Sequence, residues 1–174
     1  PTQYGSTVAI GNVVVSPSEF MPRLFAENGR LLDSQGRITL DTPEALRALE
    51  NYRETYSYSD RTIYDFWKNA LEGFADGTAA MTVVFINYAS HILNSQMSRI
   101  AGKLGFAPVP GGKPLLGGGV IGIAQSCTCP AAACKFLEWL YADLVAPVFT
   151  MLGGLSPCRS AYSNRDISEQ YPWL

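Results

Sequence analysis

Four cysteines and one histidine are the residues whose chemistry would stand out most. Cys127, Cys129 and Cys134 form a Cys-x-Cys-x4-Cys run, Cys158 lies further on, and His91 is remote from all of them. Structural zinc pairs its ligands as C-x2–4-C knuckles, so this spacing is a poor match. Four thiols in an oxidising compartment allow three disulfide connectivities, whereas unpaired Cys packs as a small hydrophobe. Buried free thiols are therefore expected, with no metal site. Paired carboxylates are the next candidate for chemistry. Asp65 and Glu72 share a helical stretch, but two acids on a polar helix face are ordinarily solvated, and a glycosidase pair needs convergence. The sequence contains no Gly-x-Ser-x-Gly elbow, phosphate-binding Gly-x4-Gly-Lys loop or His-Glu-x-x-His zinc helix. These observations favour binding over catalysis, with no cofactor. An unrecognised hydrolase and a stand-alone interaction module remain as alternatives.

Composition limits the function further. The 174 residues are 47% hydrophobic, enough for one sizeable core, so a single α/β domain over residues 1–174 is expected. Charged residues make up 16%, against roughly 25% in an average soluble domain, which points to surface covered by another partner. A net charge of −2 without a Lys/Arg cluster argues against nucleic acid. The longest apolar stretch, Leu144 to Leu155, is short and interrupted by Pro147, Gly153 and Gly154, well under a membrane span. With Pro1 at the start and no signal-like segment, any secretion signal is expected to lie outside the chain.

The elements that must position a site can be read from periodicity and punctuation. Val8 to Val15 reads as a strand covered on both sides. A helix then follows, with Ser16 as cap, Pro17 in the first turn and Glu19 returning a bond to the cap. It buries Phe20, Met21, Leu24 and Phe25 and stops at Asn28-Gly29. Leu31-Leu32 and Ile38-Thr39-Leu40 flank a reversal at residues 33–37. Asp41-Thr42-Pro43-Glu44 opens the next helix, which buries Ala45, Leu49, Tyr52 and Tyr56. A third apolar stripe, Ile63, Phe66, Trp67, Ala70, Leu71 and Phe74, ends at Asp76-Gly77, with Trp67 in the core. Ala79 to Ile86 has strand character, and Asn87 would cap a helix burying Ile92, Leu93, Met97 and Ile100. His91 points away from that face and is given no role. Phe106 to Gly119 is a Pro/Gly-rich loop. Val120 to Ala124 reads as a strand, Pro130 opens a helix burying Ala133, Leu137, Leu140 and Tyr141, another helix spans Pro147 to Leu152, and the rest is irregular. Strands separated by helices indicate an α/β layered fold.

Taken in order, several segments resemble the bacterial extracellular solute-binding proteins that capture sugars for ABC importers. The segments are Glu27-Asn28-Gly29-Arg30-Leu31-Leu32-Asp33, Thr42-Pro43-Glu44-Ala45, Phe74-Ala75-Asp76-Gly77-Thr78-Ala79-Ala80-Met81, Pro108-Val109-Pro110-Gly111 and Gly154-Leu155-Ser156-Pro157-Cys158-Arg159. The resemblance implies the second, C-terminal lobe of a two-lobe, type II periplasmic-binding-protein-like fold, held outside the cytoplasm as a periplasmic protein or surface lipoprotein. It also implies three partners: a sugar or oligosaccharide, the N-terminal lobe, and the importer's membrane subunits. Ligand contacts are implied at Asn87 and Tyr88 after the Ala-Met strand, at Gly118 and Gly119, and at Arg159. Many carbohydrate binders carry an aromatic about where Gly119 stands, so its absence here weakens the sugar assignment at that point.

Overall fold

The computed structural model describes residues 2–11, 13–61 and 67–171, with the main chain alone at Trp67, Asn69 and Gln170. Ile63, Asp65 and Phe66 and the Trp67 side chain therefore lie outside the described residues. The chain forms two compact units, Pro1–Leu116 and Gly117–Leu174.

The first unit is built on a parallel pair of strands, β1 (Tyr4–Ser6) and β2 (Ala79–Met81), in the register Tyr4↔Ala79 and Ser6↔Met81. Parallel neighbours need a long crossover, and here it carries α1 (Val15–Ala26), α2 (Pro43–Ser57) and α3 (Trp67–Ala75). The expected strand at Val8–Val15 is displaced upstream to β1. Val8 and Ala9 are buried, but Val13 is 91% exposed, so the run is not covered on both sides. The polar main-chain groups of Ala9 are paired by side chains instead of a ladder: its N–H donates to Glu19 Oε1 at 3.2 Å, and its carbonyl accepts from Tyr52 Oη at 3.0 Å.

Capping explains where the helices end. α1 starts at Val15, and its cap residue, Val14, makes no side-chain capping bond, so the Ser16 cap with a Glu19 return is not formed. At the other end, Asn28 sits at φ 63°, with Asn28 N–H donating to Phe25 O and Gly29 N–H to Leu24 O. This paired reversal is the Schellman arrangement, which tolerates Asn in the left-handed position. α3 stops by the same device: Gly77 is at φ 79°, Gly77 N–H donates to Phe74 O and Thr78 N–H to Gly73 O. The reversal delivers the chain into β2 two residues later, which gives the Phe-x-x-Gly-x-Ala spacing its physical reason. Thr42 caps α2 by accepting from Ala45 N–H, with Pro43 at the first helical position. Thr42→Ala should cost about 1 kcal/mol by urea denaturation, and an unchanged midpoint would show that α2 does not depend on its cap.

Leu24, Ala45 and Ala48 form the α1–α2 core, with Phe20 and Met21 against it. Ala45 and Tyr52 are buried as expected, but Leu49 is 55% exposed and Ala48 takes its place. The reversal at residues 33–37 forms as expected, with Leu32 bridging Ile38 and Asp33 Oδ1 accepting from Gln35 and Arg37 N–H. Past β2 the regular strand ends at Met81. A 3-10 turn at Ile86–Tyr88 leads into the short α4 (Ala89–Leu93), where Ile92 is buried and Met97, beyond it, is exposed.

The second unit contains α5 (Pro130–Leu140), α6 (Val145–Met151), α7 (Arg159–Tyr162) and α8 (Arg165–Gln170). Pro130 opens α5 as expected, but no α5 residue is buried; Ala133, Leu137 and Leu140 are half-covered and Tyr141 is 37% exposed. No strand forms at Val120–Ala124, where Val120 is fully exposed. The C-terminal stretch is more ordered than its composition indicates. Asn164 caps α8 by accepting from Asp166 and Ile167 N–H, and Ile167 is buried.

Candidate ligand site

The first unit holds a cavity of about 520 Å³. One wall is the carboxyl end of the strand pair: Ser6 at the end of β1 with Thr7 after it, then Met81 at the end of β2 with Val83, Val84 and Phe85 after it. α1 contributes Ser18, Glu19, Pro22 and Arg23, α2 contributes Asn51, Glu54 and Thr55, and the loop residues Val109, Pro110, Pro114 and Leu115 complete it. Thr7 Oγ1 and Thr82 Oγ1 bond at 2.6 Å, tying together the chains that leave the two strands. The crevice beyond the carboxyl ends of parallel strands is where open α/β sheets bind ligands.

Its polar end is the Glu19–Arg23 pair. Arg23 Nη1 lies 2.9 Å from Glu19 Oε2, and the two side chains are 14% and 4% exposed. Arg23 also stacks over the Tyr52 ring, 5.0 Å from its centroid, a cation–π contact that suits a desolvated guanidinium. Arg23 Nε is buried without a hydrogen-bond partner among the described residues. Burial raises the Glu19 carboxyl above the ordinary glutamate value, against the lowering effects of the Arg23 charge and the Ala9 and Arg23 hydrogen bonds. Tyr52 is likewise raised, first by burial. From the sequence alone Glu19 reads as a capping residue and Arg23 carries no role. The signal available was an acid and a base four residues apart, with the acid directly before Phe20 on the apolar stripe.

The residues implied as ligand contacts fall in both units. Asn87 and Tyr88 occupy the 3-10 turn after β2. Asn87 is exposed and does not cap α4; the cap residue is Tyr88, with no side-chain bond. Tyr88 is half-buried against Ala9, Val15 and Ala70. Neither lines the cavity, whose nearest wall residue in sequence is Phe85. In the second unit, Gly118 and Gly119 are exposed, with no atom within 4 Å of where a Cβ would stand and neither at positive φ. Arg159 is exposed at the start of α7. All four cysteines are free, but Cys129 and Cys134 are exposed and Cys127 and Cys158 half-buried, so the expected burial of the thiols is not found. Among the described residues no three His, Cys, Asp or Glu side chains converge in a metal-binding group.

Parallel strands joined through helices, with a crevice at their carboxyl ends, define an α/β ligand-binding fold. Residues 9–173 match the family described as bacterial extracellular solute-binding protein, and the chain belongs to that family. Two solved structures share the fold across 98% of this chain, each at 24% identity. One is maltose-bound MalE3 of T. maritima, with a TM-score of 0.85 and 46% of that chain covered. The other is an ABC transporter solute-binding protein of Agrobacterium radiobacter K84 in complex with ribitol, with a TM-score of 0.80 and 45% covered. The Escherichia coli (strain K12) protein YcjN, which carries the name of an ABC transporter periplasmic-binding protein, is 28% identical over 91 residues, 52% of this chain and 20% of YcjN. The chain thus spans less than half the length of these relatives. The fold-class expectation is met, and the family is one of extracellular binding proteins. Among the described residues no helix is long and apolar enough to cross a membrane.

Proposed function

We propose that the chain is the second-lobe portion of a two-lobe solute-binding protein, held outside the cytoplasm as a periplasmic protein or surface lipoprotein, that presents a sugar or polyol to an ABC importer. The observation that carries this reading is the family match over residues 9–173. The ligand class is supported by the maltose and ribitol bound to the two structural neighbours. Binding rather than conversion also agrees with the makeup of the site, whose buried acid is tied to Arg23 and Ala9.

In this reading Asn87 supplies hydrogen bonds to ligand hydroxyls, Tyr88 offers a ring face, Gly118 and Gly119 permit close main-chain approach, and Arg159 donates from its guanidinium. Ligand held between two lobes favours the closed form, and the importer reads that closure.

Thermal-shift and calorimetric screening of the full-length protein against monosaccharides, oligosaccharides, polyols and amino acids tests the reading. A hydroxyl-rich ligand at 100 times its Kd should stabilise by about 2.7 kcal/mol. Stabilisation by amino acids alone, or turnover of a glycoside, would overturn it. Asn87→Ala should weaken binding about tenfold, the worth of one good hydrogen bond, without moving the melting temperature, since Asn87 is exposed. The 174-residue chain alone should bind at best weakly, because the other lobe's contacts are missing; micromolar affinity in calorimetry would contradict the two-lobe reading.

A further inference from the structure

The chain that leaves β1 is anchored on both sides of a short loop and bare at its crown. Ala9 and Val15 are fully buried and cluster with Ala70, and Phe85 and Tyr88 from the segment leaving β2 pack against them. Glu19 of α1 and Tyr52 of α2 hold the two polar main-chain groups of Ala9. Two residues earlier, the Thr7 and Thr82 hydroxyls join the two outgoing chains. On the far side, Ser18 Oγ donates to the Val14 carbonyl at 3.1 Å. Between these anchors Val13 is 91% and Val14 62% exposed. Single apolar side chains on a surface are ordinary. Here two β-branched neighbours are held in water by a fixed base, beside the carboxyl ends of parallel strands where open α/β sheets bind ligands. Valine is stiff at χ1, so little side-chain freedom is lost when a ligand packs on it.

Charge indicates what the occupant is. Residues 1–18 and 77–98, which hold the two strands and the chains that leave them, contain no Asp, Glu, Lys or Arg, although these make up 16% of the whole sequence. A charged group desolvated against these segments would find no counter-charge in either of them. We propose that Val13 and Val14 are ligand contacts that select an uncharged saccharide bearing an apolar substituent, a methyl group or an aromatic aglycone, over its fully hydroxylated parent. Tyr88 packs on the base of the same loop, and Asn87 beside it is exposed. The substituent therefore meets valine while the ring hydroxyls meet Asn87, the mixture of apolar wall and few polar groups that small-molecule sites share. The inference rests on the saccharide-binding reading and narrows its ligand class.

Calorimetry on the full-length protein with matched pairs tests it: galactose against 6-deoxygalactose, glucose against phenyl glucoside, and maltose against phenyl maltoside. In the pair that binds, the apolar member should be at least about fourfold tighter, the equivalent of one buried methyl group. Glucuronate should bind at least about tenfold more weakly than glucose, having no counter-charge to meet. Val13→Ser should bring the ratio within the pair to about 1 without moving the melting temperature of the ligand-free protein, because the side chain is exposed. A residue that merely shaped the loop would weaken both members alike and leave the ratio as it was. Equal affinities within every pair, a ratio unchanged by Val13→Ser, or glucuronate binding as tightly as glucose would overturn the proposal while leaving saccharide binding intact. A lower melting temperature in Val13→Ser would overturn it in favour of another part of the protein covering the loop, and loss of a dimer mass in favour of a second copy. Absence of binding by any saccharide would remove the functional reading as well.

Discussion

Replacing Glu19 by Ala is expected to lower the unfolding free energy by about 3 kcal/mol, measured by urea denaturation. The side chain is 4% exposed and its partner Arg23 14%, so truncation leaves a desolvated guanidinium with no counter-charge, and such breaks of a buried pair are far more costly than the pair is worth. It also strands the Ala9 N–H, which has Glu19 Oε1 as its acceptor. Glu19→Gln should cost less, because an amide oxygen can still accept from Ala9 while the charge is lost. The two variants also separate charge from hydrogen bonding through pH. Burial raises the folded-state value of Glu19 above 4.5, so just above that pH the native state binds more proton than the unfolded chain. The stability this group contributes is full below about pH 4.5 and is lost as pH rises through the raised value. The advantage of the natural protein over Glu19→Gln should therefore narrow from pH 4.5 towards 7. An advantage that widens over that range would mean that attraction to Arg23 outweighs burial.

Local chemistry was what the sequence made legible. Asn28, Gly77 and Thr42-Pro43 end or begin helices through bonds within a few residues of themselves, so their types and spacing carry the whole instruction. The Asp33–Arg37 reversal is equally self-contained. Strands were harder because a strand's partner is remote. Val8–Val15 has the right composition, yet the ladder closes at Tyr4–Ser6, where Thr78 and Met81 accept from the incoming chain. Faces that need a counterpart also failed: Leu49 on α2 and the apolar side of α5 follow helical spacing, but nothing among the described residues buries them. For the site, order along the chain singled out Asn87 and Tyr88, and the structure adds that they follow β2 in a tight turn. The cavity was illegible, since its walls come from residues more than 100 positions apart. So was the burial of Glu19, whose Oε1 accepts from the N–H of Ala9, ten residues upstream and outside α1.

The second large effect is expected at Gly111, where the loop carrying Val109 and Pro110 rests on the end of α1. Its φ is +82°, and a Cβ built there would stand 2.4 Å from Ala26 Cβ and 3.0 Å from Ala26 Cα. Two costs combine in Gly111→Ala: about 1–2 kcal/mol for an L-residue in the left-handed region, and about 1–3 kcal/mol for overpacking against a neighbour that cannot swing aside. A loss near 3 kcal/mol follows, seen as a lower denaturation midpoint. Gly112 separates the two costs. It shares the left-handed conformation at φ +64° but has nothing within 4 Å of a Cβ, so Gly112→Ala should show the backbone cost alone. Lys113 Nζ bonds Asn28 Oδ1 just beyond, which fastens the loop to the reversal that ends α1. If the loop is seated as the structure shows, the excess loss in Gly111→Ala over Gly112→Ala is the overpacking term, and ligand affinity of the full-length protein should fall with it only if Val109 and Pro110 form a working wall of the cavity. Equal losses in the two variants would mean that the loop does not lie on Ala26, and the cavity would then lose one of its sides.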